Sequence, residues 1–355
     1  IRAFAALGSL TSGVVLAHAL WVDPVFWSVL RVLTGLCFAG LATVVESWMN
    51  GRATREIRGR LLAVLSVAAI GGYAVGPLFA TLASVDGTVL FIVASILMSV
   101  ALVPVTVTRF HAPPLPESVS GENAYSLRRL FRETPLGGLG CLLTGVLQGA
   151  FLGLGAVFAR RLGLSDAGAS VFMTAALLSG AVCQYPLGWV SDLVDRRLVI
   201  GVFCLVLGVA AFVLVGMVTA GPPGVAVIGA LAFVAGAAAM PLYSVVIAHI
   251  NDRLPEPSIL PAAASLILTF CIGSAIAGPL ASAAMDLLGD AGLPLLLALT
   301  LCLLGAFSVL RVRLRERPAP CPEDEQVYVP GPALSPFDMM ETPAQAPVDG
   351  AQRSG

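Results

Sequence analysis

The chain has 355 residues, 57% of them hydrophobic and only 12% charged, where a soluble domain carries roughly a quarter charged residues. A water-soluble core cannot absorb that much apolar surface, so an ordinary soluble globular protein is excluded. The net charge is −1 and all twenty basic residues are arginine, which leaves no general basic surface for nucleic acid and no lysine for Schiff-base chemistry.

The apolar residues come in blocks of about 20, the length an α-helix needs to cross ~30 Å of hydrocarbon at ~1.5 Å per residue. Ten candidate spans follow in chain order: 3–22, 25–48, 61–84, 88–108, 136–159, 168–190, 198–219, 224–249, 260–285 and 293–311. Asp23-Pro24, Asp86-Gly87, Gly221-Pro222-Pro223-Gly224 and Gly289-Asp290-Ala291-Gly292 punctuate them as short turns. The chain opens on Ile1 with no charged leader before the first span, so a truncated N-terminus is expected. Four domains are expected. Residues 1–108 form an incomplete four-span bundle. Residues 109–135 form a linker whose last part, Ser126 to Arg132, can lie along a membrane surface. Residues 136–312 form a six-helix bundle. The tail, 313–355, is aperiodic and rich in Pro, Ala and acidic residues, so disorder is expected there. The seven cysteines form no C-x-x-C pair and read as small apolar fillers, so neither a metal nor a cofactor is expected.

Arg160 and Arg161 fall on one side of the spans and Arg31 inside one, which leaves 17 of the 20 arginines on the side of Ile1. The positive-inside rule therefore puts both termini in the cytoplasm, and a multi-pass protein of the plasma membrane, the inner membrane of a bacterium, is expected. An internal repeat supports the span count. Ile70-Gly71-Gly72-Tyr73-Ala74-Val75-Gly76-Pro77-Leu78 returns 202 residues later as Ile272-Gly273-Ser274-Ala275-Ile276-Ala277-Gly278-Pro279-Leu280. At a shift of 201, Asn50-Gly51-Arg52 meets Asn251-Asp252-Arg253, and Gly35 meets Gly236. Equivalent spans lie six apart in the same orientation, which is the pattern of two parallel six-helix halves with two spans missing from the first.

Several motifs carry a family resemblance. Gly188-Trp-Val-Ser-Asp192-Leu-Val-Asp-Arg196-Arg197 resembles the G-x-x-x-D-R-x-x-R-R/K loop of the major facilitator superfamily, with Leu193 where that loop often has Arg. Arg31-Val-Leu-Thr-Gly35 resembles its R-x-x-x-G element, and Gly72-x-x-x-Gly76-Pro77 its G-x-x-x-G-P element, for which helix packing and function fit equally. Val44-Val-Glu46-Ser-Trp-Met-Asn50 is similar to the YcaD-like branch. The resemblance implies an all-α membrane fold of two parallel six-helix bundles. It also implies a secondary transporter and no enzyme, alternating access, proton coupling, and an antiporter with efflux favoured. A transport-inactive sensor or scaffold on the same fold is the alternative. The implied partners are a small, amphipathic substrate molecule, protons and the lipid bilayer, with the protein a monomer.

Arg31 lies ~12 Å inside its span, where an unpaired charge costs at least about 2.5 kcal/mol, so it is expected to face a cavity or a partner. Glu46 fits an interface anchor and a proton or gating site equally. The two residues lie within about 60° of one face but ~22 Å apart, so they can line one cavity without pairing. Gln148, Gln184, Tyr185 and Tyr243 are the polar groups at membrane depth in the second half, open to a pathway role or an interhelical bond. Gly188, Asp192, Arg196 and Arg197 are assigned to gating. Gly35, Gly72, Gly76, Pro77, Gly278 and Pro279 are assigned to helix packing. His18 and His249 are expected at the membrane interface.

Overall fold

The computed structural model describes residues 2–52, 68–69, 71–81, 83, 87–107, 126–254 and 256–314, without the side chains of 46–52 and 256–261. Among the described residues the chain is helical and contains no strand. The helices are α1 (Arg2–Ala17), α2 (Pro24–Arg52), α3 (Val89–Val107), α4 (Leu127–Glu133), α5 (Pro135–Arg161), α6 (Asp166–Leu193), α7 (Arg196–Ala220), α8 (Val225–Ala239), α9 (Leu242–Asn251), α10 (Glu256–Leu288) and α11 (Gly292–Arg313). A 3₁₀ segment, Gly76–Thr81, precedes α3. Local signals set the starts: Ser165 accepts from the Gly168 N–H ahead of α6, Asp195 from the Arg197 N–H ahead of α7, and Pro135 occupies the first turn of α5.

Seven stretches of the described residues are long and apolar enough to cross a membrane, the last running through both α10 and α11. One boundary is corrected. The first span is shorter than 3–22: α1 has 16 residues and gives way to a turn at His18–Leu20, because His18 Nδ1 and the Trp27 indole bond to backbone carbonyls at this bend. The span expected at 224–249 is present as one apolar stretch, Val225–Asn251, with a break in its hydrogen bonding at Met240-Pro241, since proline has no N–H to donate back along the helix. Both histidines stand at helix ends and are packed inside the protein, His18 and His249 being 3% and 4% exposed. The expected span 61–84 lies mostly outside the described residues, as do 109–125 of the linker and the tail from 315.

Close helix crossings rest on glycine. On α5 and α10, Gly145 sits against the Phe270 carbonyl and Gly273 against the Leu142 carbonyl, so a Cβ at either would collide with backbone. Gly236 of α8 meets the Ala176 carbonyl of α6 in the same way. On α7 and α11, a Cβ at Gly208 would lie 2.6 Å from Cys302 Sγ. In the first half Ser12 of α1 bonds to Ser95 and Ser99 of α3 at 2.8 and 2.9 Å. The pairing of α1 with α2 and α3 recurs as α7 with α8 and α11. Among the described residues, a Cβ at Gly35, Gly72, Gly76 or Gly278 meets no atom within 4 Å. Gly76-Pro77 opens a 3₁₀ segment, whereas Gly278-Pro279 lies inside the continuous α10.

Candidate functional site

The break between α8 and α9 interrupts backbone hydrogen bonding inside an apolar stretch, and polar side chains from two other helices gather there. Gln184 of α6, 7% exposed, donates from Nε2 to Ser244 Oγ at 3.1 Å. Ser244 in turn donates to the Pro241 carbonyl at 3.0 Å. Gln148 of α5 is half-buried and donates to the Met240 thioether at 3.8 Å, a weak acceptor that leaves much of the amide's bonding capacity unused. Tyr243 is 2% exposed, with its ring edge-on to Phe270 at 4.8 Å between centroids. Of the sequence-named groups, Gln148 and Gln184 are thus brought to the Met240–Ser244 stretch that carries Tyr243. Tyr185 is separated from them, 77% exposed on another side of α6.

A second cluster lies at the end of the molecule that carries most of the arginines. Arg196 bridges two carboxylates, Asp192 at 2.9 Å on α6 and Asp252 at 2.8 Å after α9. Arg197, 8% exposed, holds Asp195 at 2.8 Å and reaches the Arg311 carbonyl at 3.4 Å, while the Ser308 hydroxyl donates to the Arg197 carbonyl at 2.5 Å. Gly188 accepts from the Ser191 hydroxyl through its carbonyl. The loop therefore ties the ends of α6, α7, α9 and α11 together. Burial works against the charged form of Asp195, but the hydrogen bonds and charge of Arg197 outweigh it and hold this carboxyl below the usual range. Asp252 moves the other way: burial pushes it up with help from Asp192, against the pull of Arg196. Sequence reading passed over Asp195 and Asp252 as site residues, although Asp252 stands inside the echo at Asn251–Arg253.

At the opposite end Arg161 joins α5 to α10, bonding Asp286 at 2.9 Å and the Met285 carbonyl at 2.8 Å. Between the two halves, α6 packs on the Gly76–Thr81 segment, and Thr174 Oγ1 donates to the Ala74 carbonyl at 3.2 Å. Arg31 is exposed on α2 and makes no hydrogen bond or ion pair among the described residues. Glu46 falls within α2, but its side chain lies outside the described residues.

Comparison with known proteins adds a family. The model of the major facilitator superfamily matches residues 1–173 and 138–337. Among curated relatives, the uncharacterised MFS-type transporter YfkF of Bacillus subtilis is 30% identical over 268 residues, 74% of this chain and 66% of that protein. The uncharacterised MFS-type transporter YcaD of Escherichia fergusonii is 28% identical over 255 residues, 71% of this chain and 63% of that protein. The chain thus spans just under two thirds of the length of these relatives. Among solved structures, a bacterial homologue of the human lysosomal transporter Spinster, inward-facing and unoccupied, aligns with a TM-score of 0.67 at 15% identity, over 90% of this chain and 85% of that one. The Escherichia coli fucose:proton symporter aligns with a TM-score of 0.51 at 15% identity, over 87% and 82%.

Proposed function

The chain belongs to the major facilitator superfamily, and from that premise we propose that it is a secondary transporter of a small amphipathic molecule, working by alternating access between two helical bundles. The observation that carries this reading is the broken helix: Gln148, Gln184 and Tyr243, from three different helices, converge on the Met240-Pro241 interruption. In an apolar medium, a helix gives up backbone hydrogen bonds at a proline where other protein groups or a cavity satisfy the freed carbonyls. The scarcity of other polar groups at this depth favours a largely apolar substrate, with an anionic part met by Arg31.

Protons are the proposed coupling ion, with Glu46 as the carboxylate that binds them and efflux as the direction. Arg196 and its two aspartates, with Arg197 and Gly188, act as the gate, stabilising one state. The arginine-rich end faces the cytoplasm of a bacterial inner membrane. The test is purified chain in proteoliposomes with an imposed pH gradient, scored for movement of a panel of labelled amphipathic anions and cations. Gradient-driven accumulation lost in Arg31→Ala and Glu46→Gln, with both variants still inserted, supports the reading. Transport that survives both substitutions removes these residues from the pathway, and gradient-independent flux removes proton coupling.

A further inference from the structure

The short helix α4 leads directly into α5, and α5 fixes its depth. Only Thr134 separates Glu133 from Pro135, where the membrane-crossing stretch of α5 begins. With 27 residues, α5 is ~40 Å long, against ~30 Å of hydrocarbon. About one turn at each end therefore reaches past the hydrocarbon into the headgroups, and α4 stands beside such a turn. Thr134 has non-helical backbone angles, so the chain bends there. Its hydroxyl donates to the Leu130 carbonyl at 3.1 Å, which ties the bend to α4.

The side chains of α4 are sorted by direction. Leu130 is 0% exposed and joins the core of the second half. Phe131 lays its ring against Gly138, where an added Cβ would come within 2.9 Å of it, and is still 38% exposed. Gly138 is three residues into α5, so this ring sits close to where the hydrocarbon begins. Arg129 is held by Glu133 at 2.7 Å. Arg128 and Arg132 are exposed and make no hydrogen bond or ion pair among the described residues. At ~100° per residue these two lie within about 40° of each other and ~160° from Leu130, with Phe131 ~60° from Arg128. Four residues apart on one helix, their Cβ atoms are ~6 Å apart.

Two guanidiniums without a protein anion thus stand together at headgroup depth, next to a half-covered aromatic ring. We propose that Arg128 and Arg132 bind the phosphodiester of an anionic phospholipid of the phosphatidylglycerol type, whose acyl chain rests on Phe131. Guanidinium N–H groups match phosphate oxygens in paired hydrogen bonds. A zwitterionic headgroup brings an ammonium that the same two arginines repel, so the surface selects the anionic lipid. The proposal needs the membrane position of the chain and not its transport activity.

The experiment uses the full chain in phosphatidylcholine vesicles that carry a trace of photoreactive phosphatidylglycerol or photoreactive phosphatidylcholine, with labelled peptides identified by mass spectrometry. The phosphatidylglycerol probe is expected to label α4 and the first turns of α5 in preference to the phosphatidylcholine probe. Unlabelled phosphatidylglycerol should displace it, and inorganic phosphate should displace it no more than chloride of equal ionic strength. Arg128→Gln and Arg132→Gln are each expected to lower the labelling about fivefold. The paired change Arg129→Gln with Glu133→Gln keeps the net charge and should leave labelling unaltered. Equal labelling by the two probes in the native chain, or labelling that survives loss of both Arg128 and Arg132, overturns the proposal. Specific displacement by inorganic phosphate overturns it too, by marking a site for soluble anions. Since no substrate or gradient enters the measurement, a chain that transported nothing would leave its outcome unchanged.

Discussion

At the scale of single residues, the charge cluster around Arg196 yields two measurable consequences. Arg196 is shared between Asp192 and Asp252, so losing one carboxylate leaves the other in place. Asp192→Asn alone is expected to change stability by under ~1 kcal/mol, since its side chain is 40% exposed and water screens the pair. The double change Asp192→Asn with Asp252→Asn leaves a guanidinium only 19% exposed without an anion, and is expected to cost about 1–3 kcal/mol more than the two singles summed. A double-mutant cycle on thermal unfolding measures this; additivity contradicts the shared pair. Asp195 gives a pH signature. Its carboxyl is held below the ordinary carboxylate value of about 4, so the stabilisation is complete above that pH and is lost as pH falls through the lower folded value. Asp195→Asn keeps a capping side chain; it should lower Tm at neutral pH and match the parent in strong acid. Gln148, Gln184 and Tyr243 were legible in sequence because a polar group in an apolar block stands out. Asp195 and Asp252 were not, because an acidic residue in a charged loop looks the same whether it faces water or a buried arginine.

At the scale of helices, proline had no single reading. Pro104 and Pro186 lie within continuous helices, while Pro241 ends one. Neighbouring packing decides the outcome, and one sequence does not display it. The blocks and turns gave most helices to within a few residues, whereas the break at Met240 was invisible inside an unbroken apolar run. Pro241→Ala restores the missing N–H, and a proline inside a helix costs ~3 kcal/mol. This substitution is expected to raise thermal stability by about 1–3 kcal/mol while lowering transport, because joining α8 to α9 closes the hydrogen-bond break that gathers the site. Unchanged turnover with raised Tm would separate the break from function. The glycine crossings make a sharper demand. Gly236→Val drives a side chain into the Ala176 carbonyl, a backbone atom that cannot step aside, so loss of well-folded protein in detergent is expected. At Gly35, where a Cβ meets none of the described residues, the same substitution should be tolerated.

At the scale of the whole molecule, the two halves touch where the Thr174 hydroxyl bonds the Ala74 carbonyl. Linking Ala74→Cys to Thr174→Cys with a short bifunctional reagent should hold that contact closed, abolishing transport until the link is cleaved; full activity in the linked protein would exclude a hinge there. The repeat made the two-half plan readable from sequence, but not which faces meet, since that depends on how the halves sit and not on their composition. Arg31 carries one consequence of a different kind. A fixed positive charge at membrane depth with no counter-ion among the described residues also feels the transmembrane voltage, at ~2.3 kcal/mol per charge per 100 mV. If rocking of the halves carries it across a third of that field, 100 mV shifts the ratio of the two states about fourfold. State-dependent labelling under two imposed potassium diffusion potentials should therefore differ in the native chain and coincide in Arg31→Gln.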